Sequence, residues 1–287
     1  PLWCYGAPLI ARVGDEVYVS ALETGEGVEP LCNTRWRLYA RSDAGAWRLV
    51  DHADEFDTRE PCPLGVMQDG RVFLSVNPLI DASARRSGPS APQLLEFASA
   101  PGGARPTTVD VPWVAGHSFT EHSYRGFAVD GEASSLLAMN IDSPTGDQFW
   151  AHRDAEGAWT NAGRLPFPIR SCYPQVALRN GAGHVLAIGD IMEPVDEWRE
   201  YKFEQTQRTW DYVFRRLFYA YSPDVTTEQF RAAVEIEDLD ATAGHISNLD
   251  LFIDDDGSAH LLYLRRTVQS TQMRDRFFPD ATITNDM

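Results

Sequence analysis

Short apolar runs separated by glycine-centred turns follow one another along this chain, and the arrangement recurs. Five stretches share it: CYGAPLIARVGDEVYVSAL from Cys4, CPLGVMQDGRVFLSVN from Cys62, YRGFAVDGEASSLLAMN from Tyr124, YPQVALRNGAGHVLAIGD from Tyr173 and LDLFIDDDGSAHLLYLR from Leu249. Their turn glycines, Gly14, Gly70, Gly131, Gly181 and Gly257, are offset by 56, 61, 50 and 76 residues. Four of the units carry a second strand–turn–strand pattern, beginning at Arg37, Gln93, Gln148 and Arg216. The turns of these second hairpins are built from Gly, Pro, Asp and Ser, which supply the backbone angles that hairpin loops need. Two hairpins per unit and a period of about 50 residues or more predict an all-β chain, a β-propeller of four-stranded antiparallel blades. About five blades are expected, with innermost strands beginning near Pro8, Pro63, Tyr124, Pro174 and Leu249. The fifth unit shows only its first hairpin before Met287, so its blade is expected to be incomplete. The chain then reads either as part of a larger propeller or as a small one closed by exchanged strands.

Composition narrows the picture. At 287 residues and 43% hydrophobic, residues 1–287 suffice for one β domain with a sizeable core. The 18 prolines and 21 glycines are spread among the turns, so no linker divides the chain. No run of about 18 apolar residues occurs, which speaks against a membrane-spanning helix. A net charge of −17 argues against a nucleic-acid partner and opposes long-range attraction of any polyanion. An acidic ligand would have to be held by local arginines. Cys4, Cys62 and Cys172 fall at matching places in three units, where equivalent blade positions surround a channel too wide to bridge. With Cys32 they are expected as buried small residues rather than disulfides. Their spacing fits no zinc template, so neither metal nor cofactor is expected.

In a propeller the starts of the innermost strands converge on a funnel, and polar residues gathered there are the candidates for chemistry. The second unit brings Arg59 and Glu60, the third Glu121, His122, Tyr124 and Arg125, the fourth Arg170 and Tyr173, and the fifth His245 and Asn248. The far ends of the same hairpins add Glu23, Asn77, Asn140, Asp190, Glu193 and Arg265. His122 lies between Glu121 and the Tyr124/Arg125 pair, where neighbours would fix its tautomer for proton transfer. Strand alternation lets only one of Tyr124 and Arg125 share its side. Tyr173 stands at the corresponding place in the next unit, where a nearby Arg170 would lower its pKa. Arg59, Arg125 and Arg170, arriving from successive blades, would make the funnel locally positive or neutral despite the net charge.

The units resemble BNR-repeat, sialidase-like β-propellers, with RSDAGAW at 41–47 and HRDAEGAW at 152–159 similar to the Asp-boxes of that family. EHSYRGFAVDG and CYPQVALRNGAGHV are also similar to propeller-type polysaccharide lyases that act on uronate-containing glycans, such as ulvan lyases. The second resemblance implies that His122 and a Tyr before Pro, Tyr173, carry the proton transfers while an arginine neutralises the uronate carboxylate. The lyases carry that arginine where this chain has Gly189 and Asp190, so its role passes to Arg170, Arg125 or Arg199; their second His is met here by Asn140 or Asp142. The sialidase resemblance instead implies Arg59, Arg125 and Arg170 on one carboxylate, with Tyr173 as nucleophile beside Glu121 or Glu60. A hydrolase working through two carboxylates would draw on Glu60, Glu121, Asp190 and Glu193.

The largest departure from the repeat is an insertion from Ile191 to about residue 215, rich in Trp198, Tyr201, Phe203, Trp210 and Tyr212. It is expected to be partly helical and to shape the rim of the funnel, where sugar rings stack on aromatic side chains, or else to cap its own blade. Together these features point to a propeller that cleaves glycosidic bonds in acidic, uronate-type glycans, with an oligo- or polysaccharide as partner. A sialidase-like hydrolase and a non-catalytic glycan- or protein-binding propeller stay open. Secretion or a periplasmic location is the expectation for an enzyme that degrades polysaccharide.

Overall fold

The structure of the chain is a computed structural model that describes residues 8–27, 31–42, 45–81, 87–98, 105–122 and 124–287. Its sheets follow one another in sequence. The first contains β1 (Ile10–Val13), β2 (Glu16–Thr24), β3 (Thr34–Ser42) and β4 (Arg48–His52), paired in that order. The second contains β5 (Leu64–Val66), β6 (Val72–Val76), β7 (Gln93–Phe97) and β8 (Thr107–Asp110). The third contains β9 (Arg125–Asp130), β10 (Ser135–Ile141), β11 (Gln148–Arg153) and β12 (Trp159–Leu165). The fourth begins with β13 (Ser171–Arg179) and β14 (Ala182–Gly189), is interrupted by β15 (Ile191–Met192), α1 (Asp196–Thr206) and β16 (Tyr212–Val213), and resumes with β17 (Arg216–Ser222) and β18 (Val234–Asp238). The last has β19 (His245–Ile253) and β20 (Ala259–Arg266); α2 (Thr271–Phe277) then leads to β21 (Asn285–Asp286), which pairs with Arg265 and Arg266 alone. All pairings are antiparallel. The fold is the expected propeller, and its fifth blade has a two-residue third strand where none was foreseen.

Position in the blade explains each strand's pattern. β10 (SLLAMNI) is buried on both faces, because the second strand of a blade lies between the neighbouring blades. β3 instead alternates: Thr34, Trp36, Leu38 and Ala40 are buried while Arg35, Arg37 and Tyr39 are only partly covered, the period-two signature of a strand with one wet face. Apolar clusters join consecutive blades. Leu38, Leu64 and Leu74 belong to the seam of the first two, Phe73, Phe127 and Leu136 to the next, Leu137, Trp150 and Val185 to the third, and Leu186, Ile246 and Leu251 to the fourth. Among the described residues no such cluster joins the fifth blade to the first.

Inner strands approach so closely that a side chain is excluded at some points. A Cβ at Gly126 would lie 2.4 Å from Val176 Cγ2 and 3.2 Å from Met139 Cβ. Four of the five repeat turns carry their glycine at positive φ, from +55° at Gly14 to +86° at Gly70. The third departs from this, since Ser134 rather than Gly131 takes the left-handed conformation there, with φ 50°. The inner strands surround a cavity of 520 Å³ lined by Ile10, Val66, Val129, Leu178 and Ile253, one from each blade. Their starts lie at Ile10, Leu64, Arg125, Ser171 and His245, within four residues of expectation. Cys32, Cys62 and Cys172 are buried and unbridged, as expected; Cys4 falls outside the described residues. No helix among the described residues is long and apolar enough to cross a membrane.

Candidate active site

Residues near the starts of β9, β13 and β19 meet those that precede β5. Glu60, only 1% exposed, aims its Oε1 at His122 Nδ1, 2.7 Å away. An ionised carboxylate can only accept, so against it Nδ1 is the donor, and in the neutral imidazole Nε2 is then the acceptor. Nε2 faces the Tyr124 hydroxyl at 3.3 Å, and that hydroxyl lies 2.8 Å from the Tyr173 hydroxyl. Glu60, His122, Tyr124 and Tyr173 thus form one hydrogen-bonded run drawn from three blades. Its most exposed member is His122, whose side chain is 37% exposed; Glu60 and both tyrosines are buried.

The backbone is bent to bring Tyr173 into this run. Residues Cys172 to Gln175 bulge out of the β13–β14 register, and Tyr173 sits at φ 50°, a left-handed conformation that a non-glycine residue adopts at a cost of about 1–3 kcal/mol. Its carbonyl is held by Asn248 Nδ2 of β19 at 2.6 Å. Burial, ahead of all other influences, pushes both hydroxyls above the ordinary tyrosine pKa of 10.0. The expectation that Arg170 would lower the pKa of Tyr173 is therefore corrected: the phenol's partner is Tyr124, and the shift is upward.

The arginines are arranged otherwise than expected. Arg59 bridges the acids of the site, with Nη1 3.1 Å from Glu121 Oε1 and Nε 3.4 Å from Glu60 Oε1. Arg125 is 1% exposed and reaches back between blades, donating through Nη2 to the carbonyls of Glu60 (2.7 Å) and Pro61 (2.5 Å). Tyr124, not Arg125, shares the side of His122. Arg170 pairs with Asp190, donates to the Ser143 carbonyl and lies over the Tyr212 ring. Arg199 is held within the insertion by Asp196 and the Glu193 carbonyl. Three guanidiniums do not converge on an open anion site, because each is already matched to carboxylates or carbonyls. Arg59 is the cation that stands beside His122's partner.

The remaining candidates separate from this centre. His245 packs edge-on against Phe214, whose ring also adjoins Tyr173; burial, then Arg266 and Arg215, hold its imidazole below the ordinary value. Glu193 is buried in a bidentate pair with Arg215 at 2.9 and 2.6 Å and accepts from Lys202 at 2.6 Å. Burial acts to raise its pKa, but the hydrogen bonds from Arg215 and Lys202 outweigh it and hold the carboxyl below the usual range. Asn77 and Asn140 bond to each other across two blades at 2.9 Å, and Glu23 accepts from Arg35 and Arg37. Arg265 pairs with Glu237. Among the described residues no group of His, Cys, Asp and Glu is arranged to hold a metal ion.

Sequence adjacency suggests Glu121 as the partner of His122, but Glu121 turns to Arg59 and accepts the Gly88 amide at 2.9 Å. Glu60, 62 residues away, takes that place. Tyr124 is the link between the two proton-transfer candidates, two residues along the chain from His122.

No family model matches the chain, and no curated protein sequence matches it. Solved structures with a similar course of chain include an exo-β-1,3-galactanase from Phanerochaete chrysosporium bound to β-1,3-galactotriose, at 10% identity and a TM-score of 0.49 over 92% of this chain and 56% of that one. YjhT is similar at 11% identity and TM-score 0.47, over 97% and 82% of the two chains. A sucrose-6-phosphate hydrolase from Lactobacillus gasseri is similar at 13% identity and TM-score 0.47, over 98% and 57%. The chain therefore spans little more than half the length of the galactanase and of the sucrose-6-phosphate hydrolase.

Proposed function

We propose that this chain cleaves glycosidic bonds in uronate-containing glycans by β-elimination, using the Glu60–His122–Tyr124–Tyr173 run. That run is the observation that carries the reading. Elimination needs a base for the C5 proton, an acid for the leaving oxygen and a cation near the developing negative charge. His122, 37% exposed at its side chain, has Nδ1 oriented on Glu60, which in the neutral ring leaves Nε2 to take a proton. Burial keeps both tyrosines protonated, the form in which a phenol can donate a proton and cannot act as the base. The C5–H bond breaks with its proton passing to His122, the C4=C5 double bond forms, and the C4–O bond breaks. The coupled Tyr124–Tyr173 hydroxyls supply the leaving oxygen's proton and recover one from His122. Arg59, which bridges Glu60 and Glu121 and is 23% exposed, is the cation assigned to the carboxylate, which would take the place of one of these partners.

Hydrolysis by a carboxylate pair draws less support, because Glu193, Asp190 and Glu121 each face a cation. The test is incubation with alginate, polygalacturonate and ulvan, followed both by ultraviolet absorbance of unsaturated ends and by reducing ends. Absorbance should grow with the wild type. His122→Ala and Tyr173→Phe should each lower the rate about 10²–10⁴-fold. Either variant cleaving at near wild-type rate overturns the assignment, and reducing ends without absorbance would make the enzyme a hydrolase.

A further inference from the structure

The insertion in the fourth blade exposes aromatic side chains on a rigid support. β15 and β16 form a two-stranded ribbon in which Met192 pairs with Tyr212, and the pairing continues as the Glu193 amide donates to the Asp211 carbonyl. Alternation divides the ribbon. Glu193 and Asp211 point inward and share Lys202, at 2.6 and 2.8 Å, and Arg215 completes the buried ionic network beneath. Met192, Trp210 and Tyr212 occupy the alternate, outward positions, with Trp210 59% and Tyr212 43% exposed. Side chains that served only to hold the insertion down would lie on the other face. Here the ionic layer does that work, and the aromatic layer is left for something else.

Two further observations say what. The Arg208 guanidinium lies 5.4 Å from the centre of the Trp210 ring, and no carboxylate among the described residues is within ion-pair distance of it. In a chain of net charge −17 this is a cation set beside an exposed indole. The strip also adjoins the candidate active site through a short chain of contacts. Arg170 lies 5.7 Å from the centre of the Tyr212 ring and donates to the Ser143 carbonyl; Ser143 Oγ is 2.8 Å from Thr120 Oγ1, which accepts the His122 amide at 3.3 Å.

We infer that Trp210, Tyr212 and Arg208 form a binding subsite for a uronate residue of a polysaccharide that extends beyond His122. A sugar ring presents an apolar C–H face to stack on the aromatic strip and a carboxylate for the guanidinium. The inference rests on the reading of the chain as uronate-active, and its test does not depend on turnover. Full-length protein is run by affinity electrophoresis through gels containing alginate, polygalacturonate or ulvan, and intrinsic fluorescence is titrated with the same polymers. At least one of the three should retard the wild type. Trp210→Ala/Tyr212→Ala should weaken binding about tenfold, and Arg208→Gln should weaken it while reducing its salt dependence. His122→Ala should be retarded like the wild type. Circular dichroism of each variant checks that the fold is kept. Wild-type retardation of the double variant, or no retardation of the wild type in any of the three gels, overturns the subsite. Binding lost in the double variant without cleavage by the wild type would leave the subsite standing and remove the catalytic reading.

Discussion

Replacing Tyr124 by Phe removes one oxygen from the centre of the hydrogen-bonded run and leaves the ring in place. That oxygen is 2.8 Å from the Tyr173 hydroxyl and 3.3 Å from His122 Nε2. A hydrogen bond contributes about 0.5–1.5 kcal/mol net, and a buried group deprived of a partner costs about 1–3 kcal/mol. Tyr124→Phe should therefore destabilise the protein by about 1–3 kcal/mol, and Tyr173→Phe by a similar amount. Both variants break the same hydroxyl–hydroxyl bond, so the double variant should fall short of the sum by about 1 kcal/mol. Denaturant unfolding with an unchanged m-value measures all four corners of the cycle. In a chain of this size 1 kcal/mol corresponds to about 2 °C in Tm. Should the two costs add to within about 0.3 kcal/mol, the hydroxyls would not be energetically coupled, and the proposed relay would lose its physical basis. On the catalytic side, Tyr124→Phe should slow turnover about as much as Tyr173→Phe; full activity in Tyr124→Phe would remove Tyr124 from the relay.

Three other outcomes are expected. Both buried tyrosines have folded pKa values raised above 10.0, so the stability they confer is complete below about pH 10 and is lost as the pH climbs through the folded values. An ultraviolet titration should accordingly show fewer than the ten tyrosines ionising before alkaline unfolding, and ionisation of all ten in folded protein would contradict their burial. Arg215→Ala leaves Glu193 buried without its bidentate partner and should cost about 3–5 kcal/mol in denaturant unfolding; a loss below 1 kcal/mol would mean that the ionic layer does not anchor the insertion. Gly126→Ala forces a methyl group against Val176 and Met139 and should cost about 1–3 kcal/mol, so an unchanged melting temperature would show that the inner strands are farther apart than described.

The blades were legible because each hairpin declares itself locally, through apolar runs and turn residues at a recurring distance. His122 and Tyr173 were legible for the same reason, standing at matching places in successive units. What escaped was whatever depends on the packing of one blade against another. Glu60 finds His122 across 62 residues, and nothing beside Glu60 distinguishes it from Glu121. Arg125 looks like an anion ligand in a list of strand starts, yet in the fold it is a peg driven between two blades. β21 has only two residues and no pattern of its own; Trp198 and Tyr201 of α1, packed against Phe277 and Phe278, fix the segment that leads to it.

The fifth blade's brief third strand bears on motion at the site. β21 covers only the Arg265–Arg266 end of β20, so among the described residues the outer edge from Ala259 to Leu264 has no strand partner. Ile10 and Phe252 are exposed, and among the described residues no apolar cluster closes the seam between the last and first blades. Backbone amides there should exchange with solvent sooner than those of β10 or β14, since local opening follows sparse burial and unpaired edges. β19 of this blade also carries Asn248, which holds the Tyr173 carbonyl at the strained bend. An opening of the last blade that reached β19 would release that anchor, and with it the bend that carries Tyr173 to Tyr124. The making and breaking of the Tyr124–Tyr173 hydrogen bond would then follow the opening of a blade that contributes neither hydroxyl to it.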